Sequence, residues 1–426
     1  MATIRPFKGL RYTSAAGPLP DLVAPPYDVI SPEERESLAV KNPNNVVELT
    51  LPQGNSDDRS KFVKYAKSAA QLAEWRRNGV MAAEEKPALY RYTQTFRLPG
   101  SNESHVRKAL IALIKTEPYE KGVVLPHEQT FPKHKEDRLR ILEATRAHLE
   151  CIFGLFEDDD GEAFRRIGAA PAHKVADVTT EDGVRHVLEA IDGDLSIEGL
   201  VNALEDKKVW IADGHHRYET ACTFREMQGE KDGLIAEDFM MMALSSMSDP
   251  GLVLLPTHRI VHKMPIQGSA FEDAMQRFFH TREVPNGRLL EEMAETSADY
   301  NRVFGIALPG GMGVLATLDK PEAVLEWIAG DASPRLKMLD VSILHHVIFD
   351  KILGLSGLDF FSYTRDPEEA LFAVNDPGTA SFLMNPPTVD DMRQIALGGE
   401  KMPQKSTYYY PKILSGLVLW SLNDYV

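Results

Sequence analysis

The chain has 426 residues and a formal net charge of −16, from 47 Lys and Arg against 63 Asp and Glu. This acidic balance argues against a general nucleic-acid binder, because nucleic-acid phosphates are bound by clustered basic side chains. Two cysteines are too few for a disulfide framework or a cysteine-rich zinc module. No run approaches the ~18 apolar residues that span a bilayer, and the N-terminus lacks an apolar signal segment. We therefore expect a cytoplasmic protein without a membrane partner.

Helices and short strands alternate along the first 263 residues. Ser31 followed by Pro32 and two glutamates is typical of a helix N-terminus. β-branched and apolar runs predict strands over residues 46–51, 88–98, 106–116, 151–156 and 209–212. Apolar stripes predict helices over residues 61–79 and 138–149, and a further helix directly after Asp213.

The remaining residues are more acidic and more helical. Helices are predicted over residues 271–279 and 341–353, and strands over residues 303–307 and 380–383. The pattern predicts an α+β fold with a mixed sheet flanked by helices. We place a domain break near Lys263, giving a core of residues 1–263, with an inserted segment near residues 85–190, and a C-terminal α/β part of residues 264–426.

The most specific feature is the segment Asp213-Gly214-His215-His216-Arg217, which follows an apolar strand. A strand that ends in Asp-Gly and leads into a helix leaves backbone N–H groups pointing outward, where the helix dipole favours an anion. The two histidines and the arginine add side-chain donors at the same turn. Asp213 is a candidate metal ligand or proton acceptor, and the alternative is that it only caps the helix. The segment predicts a phosphate site.

A second cluster combines His127 and Glu128 with the basic residues Lys135, Arg138 and Arg146. Positive charge concentrated in an acidic chain predicts an anionic ligand. The alternative is a solvated helix start whose charged side chains bind nothing.

A third segment, which begins Met402-Pro-Gln-Lys-Ser-Thr, offers the ammonium group of Lys405 and the hydroxyl groups of Ser406 and Thr407. Such a turn is a candidate phosphate cradle, although it lacks the frame of a P-loop. The three tyrosines that follow fit a packed strand edge equally well. We expect this segment to return to the same cleft as His215.

Asp28 and Glu48 are the N-terminal candidates for a general base, which must lie within hydrogen-bond reach of the proton it removes. Either residue can instead be a structural cap. Asp28 lies in a proline-rich loop and is the more accessible of the two.

Five segments, in this order, resemble those of a widespread prokaryotic family known as a domain of unknown function. They are Ala24-Pro-Pro-Tyr-Asp-Val-Ile, Leu125-Pro-His-Glu, Lys135-Glu-Asp-Arg-Leu, Asp213-Gly-His-His-Arg-Tyr-Glu-Thr-Ala and Met402-Pro-Gln-Lys-Ser-Thr-Tyr. The resemblance covers essentially the whole chain.

The segment that starts at Asp213 is also similar to one in the free-serine kinases of the ParB/sulfiredoxin superfamily. This similarity implies a ParB/sulfiredoxin-like core and a turn that holds nucleotide phosphates, with magnesium, beside an acidic residue that activates the serine hydroxyl. Asp213, His215, His216 and Arg217 match by position, whereas the acidic base has no counterpart by motif. The reactive cysteine of sulfiredoxin would fall at His215, which disfavours thiol chemistry.

The resemblance therefore implies a kinase that transfers the γ-phosphoryl group of ATP to a small hydroxyl compound, free L-serine. Magnesium is expected at Asp213, and Asp213, Asp28 and Glu48 are the catalytic candidates. The expected nucleotide-binding residues are Gly214, His215, His216, Arg217, His127, Glu128, Lys135, Arg138, Lys405, Ser406 and Thr407. Arg146 and Arg259 are candidates for the substrate carboxylate. The alternative is a nucleotide-binding regulatory protein with little or no turnover, and the oligomeric state stays open.

Overall fold

The computed structural model describes residues 2–54, 62–99, 102–128, 130, 132–297, 302–318, 320–357, 360–403 and 405–426. The chain divides into two compact units. The first unit comprises Met1–Pro126, Thr130–Val253 and Pro411–Val426, and the second comprises His127–Gln129 and Leu254–Tyr410. The predicted domain boundary near Lys263 stays a prediction.

The strands are short and are distributed over the whole chain. They are, in chain order, β1 (Ile4–Arg5), β2 (Leu10–Tyr12), β3 (Met81–Ala83), β4 (Leu89–Arg97), β5 (Ser104–Lys115), β6 (Val124–Leu125), β7 (Ala147–His148), β8 (Ile152–Phe156), β9 (His173–Thr179), β10 (Arg185–Ile191), β11 (Val209–Asp213), β12 (Phe239–Ser246), β13 (Val253–Leu254), β14 (His258–Val261), β15 (His280–Pro285), β16 (Arg302–Ala307), β17 (Met312–Leu318), β18 (Phe361–Thr364), β19 (Ala380–Leu383), β20 (Tyr409–Tyr410) and β21 (Trp420–Ser421).

The helices alternate with these strands. They are α1 (Pro32–Lys41), α2 (Val47–Thr50), α3 (Val63–Arg77), α4 (Pro132–Thr145), α5 (Glu162–Ala169), α6 (Asp194–Leu204), α7 (His215–Glu226), α8 (Ser269–Met275), α9 (Leu289–Thr296), α10 (Val324–Trp327), α11 (Pro334–Lys337), α12 (Asp340–Ile343), α13 (Pro367–Ala373) and α14 (Val389–Leu397). A π-helix, Leu344–Leu353, continues α12. Within the described ranges, no helix is long and apolar enough to cross a membrane.

The first unit is built on a mixed sheet with the strand order β6–β11–β8–β12–β5–β4–β10–β9, and β1 pairs with β5. β11 runs parallel to β6 and β12 runs parallel to β8, whereas the other pairs are antiparallel. β12 is buried along its whole length, as a central strand with both faces covered must be. The predicted α+β fold with a mixed sheet and helices is confirmed, and the ParB/sulfiredoxin-like core stays a prediction.

Helices α5, α6 and α7 pack against this sheet through apolar residues. The shared core includes Ile167 of α5, Leu204 of α6 and Tyr218 of α7, packed with Ile152 and Met242 of the sheet. The C-terminal segment closes the unit, because β21 pairs with β7 and Ser415 pairs with Ala24. Residues from the two ends of the chain therefore lie together in the first unit.

The second unit contains an antiparallel sheet with the order β15–β17–β16–β19–β14–β18. Helices α9 and α13 cover it, and Leu289, Met293 and Ala370 pack with Val303 and Leu383. β14 therefore lies between β19 and β18, where its side chains are buried.

Most of the predicted elements are confirmed, including the helix at Pro32, where Ser31 and Glu34 form a capping box. The predicted strand over residues 46–51 is wrong, because Val47–Thr50 forms α2. Asn45 causes this turn of helix, since its side chain accepts from the Val47 N–H at 2.9 Å and donates to the carbonyls of Asp21 and Val23. Tertiary contacts thus override the β propensity of the segment.

The bounds of two predicted helices can be compared with the structure. The helix predicted over residues 138–149 is α4, which ends at Thr145 because Arg146 has a φ of 51° and Ala147–His148 forms β7. The helix predicted over residues 61–79 is α3, and Lys61 lies outside the described residues.

Candidate functional site

The predicted strand-to-helix turn is present in the first unit, between Asp213 at the end of β11 and His215 at the start of α7. Gly214 joins them with a φ of 94°, in the left-handed region that favours glycine. A Cβ atom on Gly214 would lie 2.6 Å from Ile152 Cγ2, so the turn also requires glycine for space. Among the described residues no side chain caps α7 at Gly214, which leaves the positive end of the helix dipole at this turn.

Asp213 holds two positive side chains at the turn. Lys412 donates from Nζ to Asp213 Oδ1, and Arg217 donates from Nη2 to Asp213 Oδ2 at 3.1 Å. Arg217 also donates from Nη1 to the carbonyl of Cys151 at 2.8 Å. Because Lys412 belongs to the C-terminal segment of the first unit, three distant parts of the chain meet at this turn.

The neighbouring charges shift the pKa values of Asp213 and Arg217. Burial by itself would raise the pKa of Asp213, but the nearby Lys412 and Arg217 hold that pKa below its ordinary value. Burial likewise would lower the pKa of Arg217, whereas the carboxylates of Glu150, Asp213 and Asp28 raise it. At neutral pH the turn therefore carries a charged Asp213 carboxylate beside a charged Arg217 guanidinium group.

Tyr27 packs against two arginines of the same unit. Arg138 Cζ lies 3.9 Å from the centre of the Tyr27 ring, and Arg217 Cζ lies 5.8 Å from it. The Tyr27 N–H donates to Glu150 Oε1 at 3.0 Å, and the Ser415 hydroxyl donates to the same oxygen at 3.1 Å. Glu150 Oε2 lies 4.0 Å from Arg138 Nη1.

Asp28 follows Tyr27 and is exposed. Its charge contributes to raising the pKa of Arg217. The contacts of Tyr27 therefore bring one N-terminal acidic candidate to the turn at Asp213. Glu48 is engaged elsewhere, because its carboxylate pairs with Arg35 at 2.9 Å.

A cavity of about 50 Å³ lies beneath this cluster, lined by Arg138, Glu150 and Arg217 among other residues. Ligand pockets measure about 300–1,000 Å³, so this cavity can hold ordered water but no nucleotide.

The remaining basic candidates of the first unit have acidic partners. Lys135 Nζ contacts Glu219 Oε2 at 2.8 Å, on the helix that starts at His215, and Thr130 donates to the same oxygen at 2.7 Å. Arg146 pairs with Glu237 at 2.6 Å and is not part of the Tyr27 cluster.

The other candidates lie in the second unit. Residues 127–128 and residues 405–407 are far apart in the sequence, but they contact each other there. His127 Nε2 and Thr407 Oγ1 share a hydrogen bond of 2.8 Å, and the Lys405 N–H donates to Glu128 Oε1 at 3.4 Å. The Ser406 hydroxyl donates to the carbonyl of Pro403. Gln404 lies outside the described residues.

Arg259 joins this second-unit group, donating from Nη2 to the Lys405 carbonyl at 3.2 Å. The predicted single cleft for Lys405 and His215 stays a prediction.

Sequence reasoning missed Lys412 and Glu150. Lys412 lies four residues after the Met402 segment, which ends at Tyr408, and its signal was a lone lysine after an aromatic run. Glu150 gave no signal, because an acidic residue before a strand is common in any soluble chain. His216 lies in the first turn of α7, and His215 beside it is 6% exposed.

Among the described residues, no group of three or more His, Cys, Asp or Glu side chains could hold a metal ion. Both oxygens of Asp213 are bonded to cationic side chains, so they do not fit the role of a magnesium ligand.

The sequence matches the profile of a family described as "Protein of unknown function (DUF1015)" over residues 4–342. No curated protein matches the chain significantly.

Several solved structures are distantly similar. A mutant free serine kinase in complex with ADP has 12% sequence identity and a TM-score of 0.34, and the match covers 70% of this chain and 87% of that chain. A conserved hypothetical protein from Pyrococcus furiosus has 13% identity and a TM-score of 0.33, with 74% and 96% covered. C-terminally truncated SbnI from Staphylococcus aureus has 12% identity and a TM-score of 0.33, with 72% and 86% covered.

Proposed function

We propose that this chain, which belongs to DUF1015, a family of proteins of unknown function, is a phosphotransferase. It transfers the γ-phosphoryl group of ATP to the hydroxyl group of a small molecule, and that molecule is free L-serine. The observation that carries the proposal is the Asp213 turn, where Lys412 and Arg217 are held together at the start of α7. Phosphoryl transfer requires positioning and positive charge around the transferred group more than covalent chemistry by the protein.

The turn supplies those requirements from fixed groups. The N-terminus of α7 provides the positive end of a 12-residue helix, which attracts phosphate oxygens. Arg217 is oriented by Asp213 and by the carbonyl of Cys151, so its guanidinium does not have to be ordered when the ligand binds. We assign the nucleotide phosphates to Gly214, His215, His216 and Arg217, with Lys412 beside them.

Positive charge next to the turn extends this assignment. Arg138 stacks on Tyr27, which also packs against Arg217. Lys135 forms a salt bridge with Glu219, which lies on α7. Both would neutralise phosphate charge that reaches beyond the helix N-terminus.

For the general base we favour Asp28 over Asp213. The two ion pairs of Asp213 lower its pKa and make it a weak proton acceptor, and they occupy both of its oxygens. Asp28 is exposed and lies beside the cluster, so a substrate hydroxyl can approach it. In this scheme Asp28 takes the hydroxyl proton as the serine oxygen bonds to the γ-phosphorus and the bond to the ADP oxygen breaks. Asp213 is then a positioning residue for Lys412 and Arg217.

A phosphorus NMR time course with the full chain, ATP, magnesium and L-serine tests the proposal. We expect a new phosphomonoester signal with a matching rise in ADP, and no such signal when L-serine is omitted. Asp28→Asn should reduce the rate by at least about 100-fold and keep nucleotide affinity within about tenfold. Asp192→Asn, an exposed acid of the same unit, is the matched control and should keep the wild-type rate.

Intact ATP with no new ester would overturn the phosphotransferase. Nucleotide binding that persists in that case, and weakens in Lys412→Met, would instead favour a regulatory nucleotide-binding protein with little or no turnover.

A further inference from the structure

Two arginines of the second unit, Arg259 and Arg365, each pack on a tyrosine ring. Arg259 of β14 is directly opposite Tyr363 of β18, and paired residues of antiparallel strands project to the same face. Arg259 Cζ lies 5.3 Å from the centre of the Tyr363 ring. Arg365 comes directly after β18, and its Cζ lies 3.8 Å from the centre of the Tyr408 ring. Each guanidinium is therefore oriented by a tyrosine ring.

One loop, residues 405–408, contacts both arginines. The Lys405 carbonyl accepts from Arg259 Nη2 at 3.2 Å, and Tyr408 supplies the ring under Arg365. His127 anchors this loop through its hydrogen bond of 2.8 Å with the Thr407 hydroxyl. Lys405 itself has a φ of 58°, an uncommon conformation for a residue other than glycine.

Within the part of the chain that the structure describes, the positive charges of this group have no acidic partners. None of Arg259, Arg365 and Lys405 forms a salt bridge with a carboxylate of the described residues, and the Nε atoms of both arginines are buried without a hydrogen-bond partner there. Arg259 is only 1% exposed. A buried cation without a counter-charge is costly. The chain has 63 acidic residues, so acidic partners for these cations are plentiful in the sequence.

Three carboxylates that belong to the same segments as these basic residues form other contacts. Glu128 accepts from the Lys405 backbone N–H, Asp366 accepts from the Glu368 N–H at 2.8 Å at the start of α13, and Glu369 accepts from the Thr364 hydroxyl. They organise the structure near the arginines, and among the described residues no carboxylate forms a salt bridge with either guanidinium group.

We propose that Arg259, Arg365 and Lys405 form a binding site for the dianionic phosphate group of a small molecule. The partly exposed guanidinium group of Arg365 and the exposed ammonium group of Lys405 match the acceptor oxygens of a phosphate, and the buried Arg259 adds a third positive charge. The ligand reaches the site from the side of Arg365, which is partly exposed, and Lys405, which is exposed. Arg259, beneath them, supplies positive potential and fixes the loop through Lys405. This site is independent of the activity proposed for the Asp213 turn.

Isothermal titration of the full chain with inorganic phosphate, and with succinate at equal ionic strength, tests the site. We expect Arg365→Gln to weaken phosphate binding by at least about tenfold, and Arg365→Lys to weaken it less because the charge remains. The matched control is Arg335→Gln, whose arginine lies in the same unit but pairs with Asp390 and Asp391. It should leave the affinity within about twofold.

The titrations are repeated in a Lys412→Met background, because the Asp213 turn could also bind phosphate. The loss caused by Arg365→Gln should be the same in both backgrounds. Unchanged binding in both Arg365 variants, equal losses in Arg335→Gln, or succinate binding as tight as phosphate would overturn the proposal. Failure of the serine-kinase assay would leave these titrations unaffected, so the two proposals can fail separately.

Discussion

Lys412 donates a hydrogen bond to the carboxylate of Asp213, although 199 residues separate the two along the chain. Arg217 occupies the other oxygen of the same carboxylate. The C-terminal segment of the first unit is therefore part of the strand-to-helix turn, and the charge at this turn depends on a residue far from the Asp-Gly-His-His-Arg motif.

Replacing Lys412 tests the importance of this pair for stability. We expect Lys412→Met to lower the free energy of unfolding by about 2 kcal/mol, less than the cost of stranding a fully unpaired buried charge, because Arg217 still contacts Asp213. Urea unfolding monitored by circular dichroism measures the change. Lys86→Met, which replaces an exposed lysine of the same unit, should change stability by less than about 0.5 kcal/mol. If both variants changed the free energy of unfolding equally, the ion pair of Lys412 with Asp213 would not stabilise the fold.

The depressed pKa of Asp213 makes a second prediction. A carboxylate whose pKa is lower in the folded state than in the unfolded state stabilises the fold fully above the unfolded value, about 3.9, and loses this contribution as pH falls through the folded value. Asp213→Asn removes the titrating group. Its deficit in unfolding free energy relative to the wild type should therefore be largest at pH 7 and should shrink below about pH 4.

Urea unfolding of both proteins at pH 7, 4 and 3 gives this difference directly. The comparison between the two proteins cancels the other acidic groups that titrate in the same range, Asp137 among them. A deficit that stays constant with pH would show that Asp213 contributes by packing alone.

Local sequence signals predicted the elements that carry this site. Gly214 between an apolar strand and a helix indicated the turn, and the Ser31 signature indicated the start of α1, because both depend on neighbouring residues only. Residues 46–51 were wrongly predicted as a strand, since the contacts of Asn45 with Asp21 and Val23 decide the conformation there.

Long-range pairing explains what the sequence did not predict at the site. Lys412 meets Asp213, and Glu150 meets Tyr27 and Ser415, only through the topology of the first unit. Spacing along the chain contains no trace of these contacts. The same is true of Arg365 in the second unit, whose partner Tyr408 belongs to a separate segment.

Glu150 gives a third prediction, which depends on the proposed phosphotransferase. Its carboxylate accepts from the Tyr27 N–H and the Ser415 hydroxyl, so it fixes the backbone that carries Asp28. Glu150→Gln keeps an acceptor oxygen but removes the charge opposite Arg138. We expect kcat to fall by about tenfold with KM for the nucleotide changed by less than about twofold, because misplacement of the base affects the transition state.

Glu162→Gln is the control for Glu150, because Glu162 forms a surface pair with Arg166 in the same unit. Steady-state kinetics of the two variants at saturating serine separate the effects on kcat and KM. If Glu150→Gln raised KM and left kcat unchanged, Glu150 would act on nucleotide binding rather than on the position of Asp28.

The last prediction concerns Gly214, where two separate constraints coincide. Alanine there would adopt an unfavourable φ of 94° and place its Cβ 2.6 Å from Ile152 Cγ2. Gly183 offers a matched control, with a φ of 79° and nothing within 4 Å of the added Cβ. We expect Gly183→Ala to cost about 1 kcal/mol from backbone strain, and Gly214→Ala to cost about 1–3 kcal/mol more from the clash. Urea unfolding gives both values. The double variant that adds Ile152→Ala should then be destabilised by less than the sum of the two single changes, because Ile152→Ala removes the clashing methyl group while the strain in φ remains. If the double variant were destabilised by the full sum of the two single changes, the clash with Ile152 would not be the reason that the turn requires glycine.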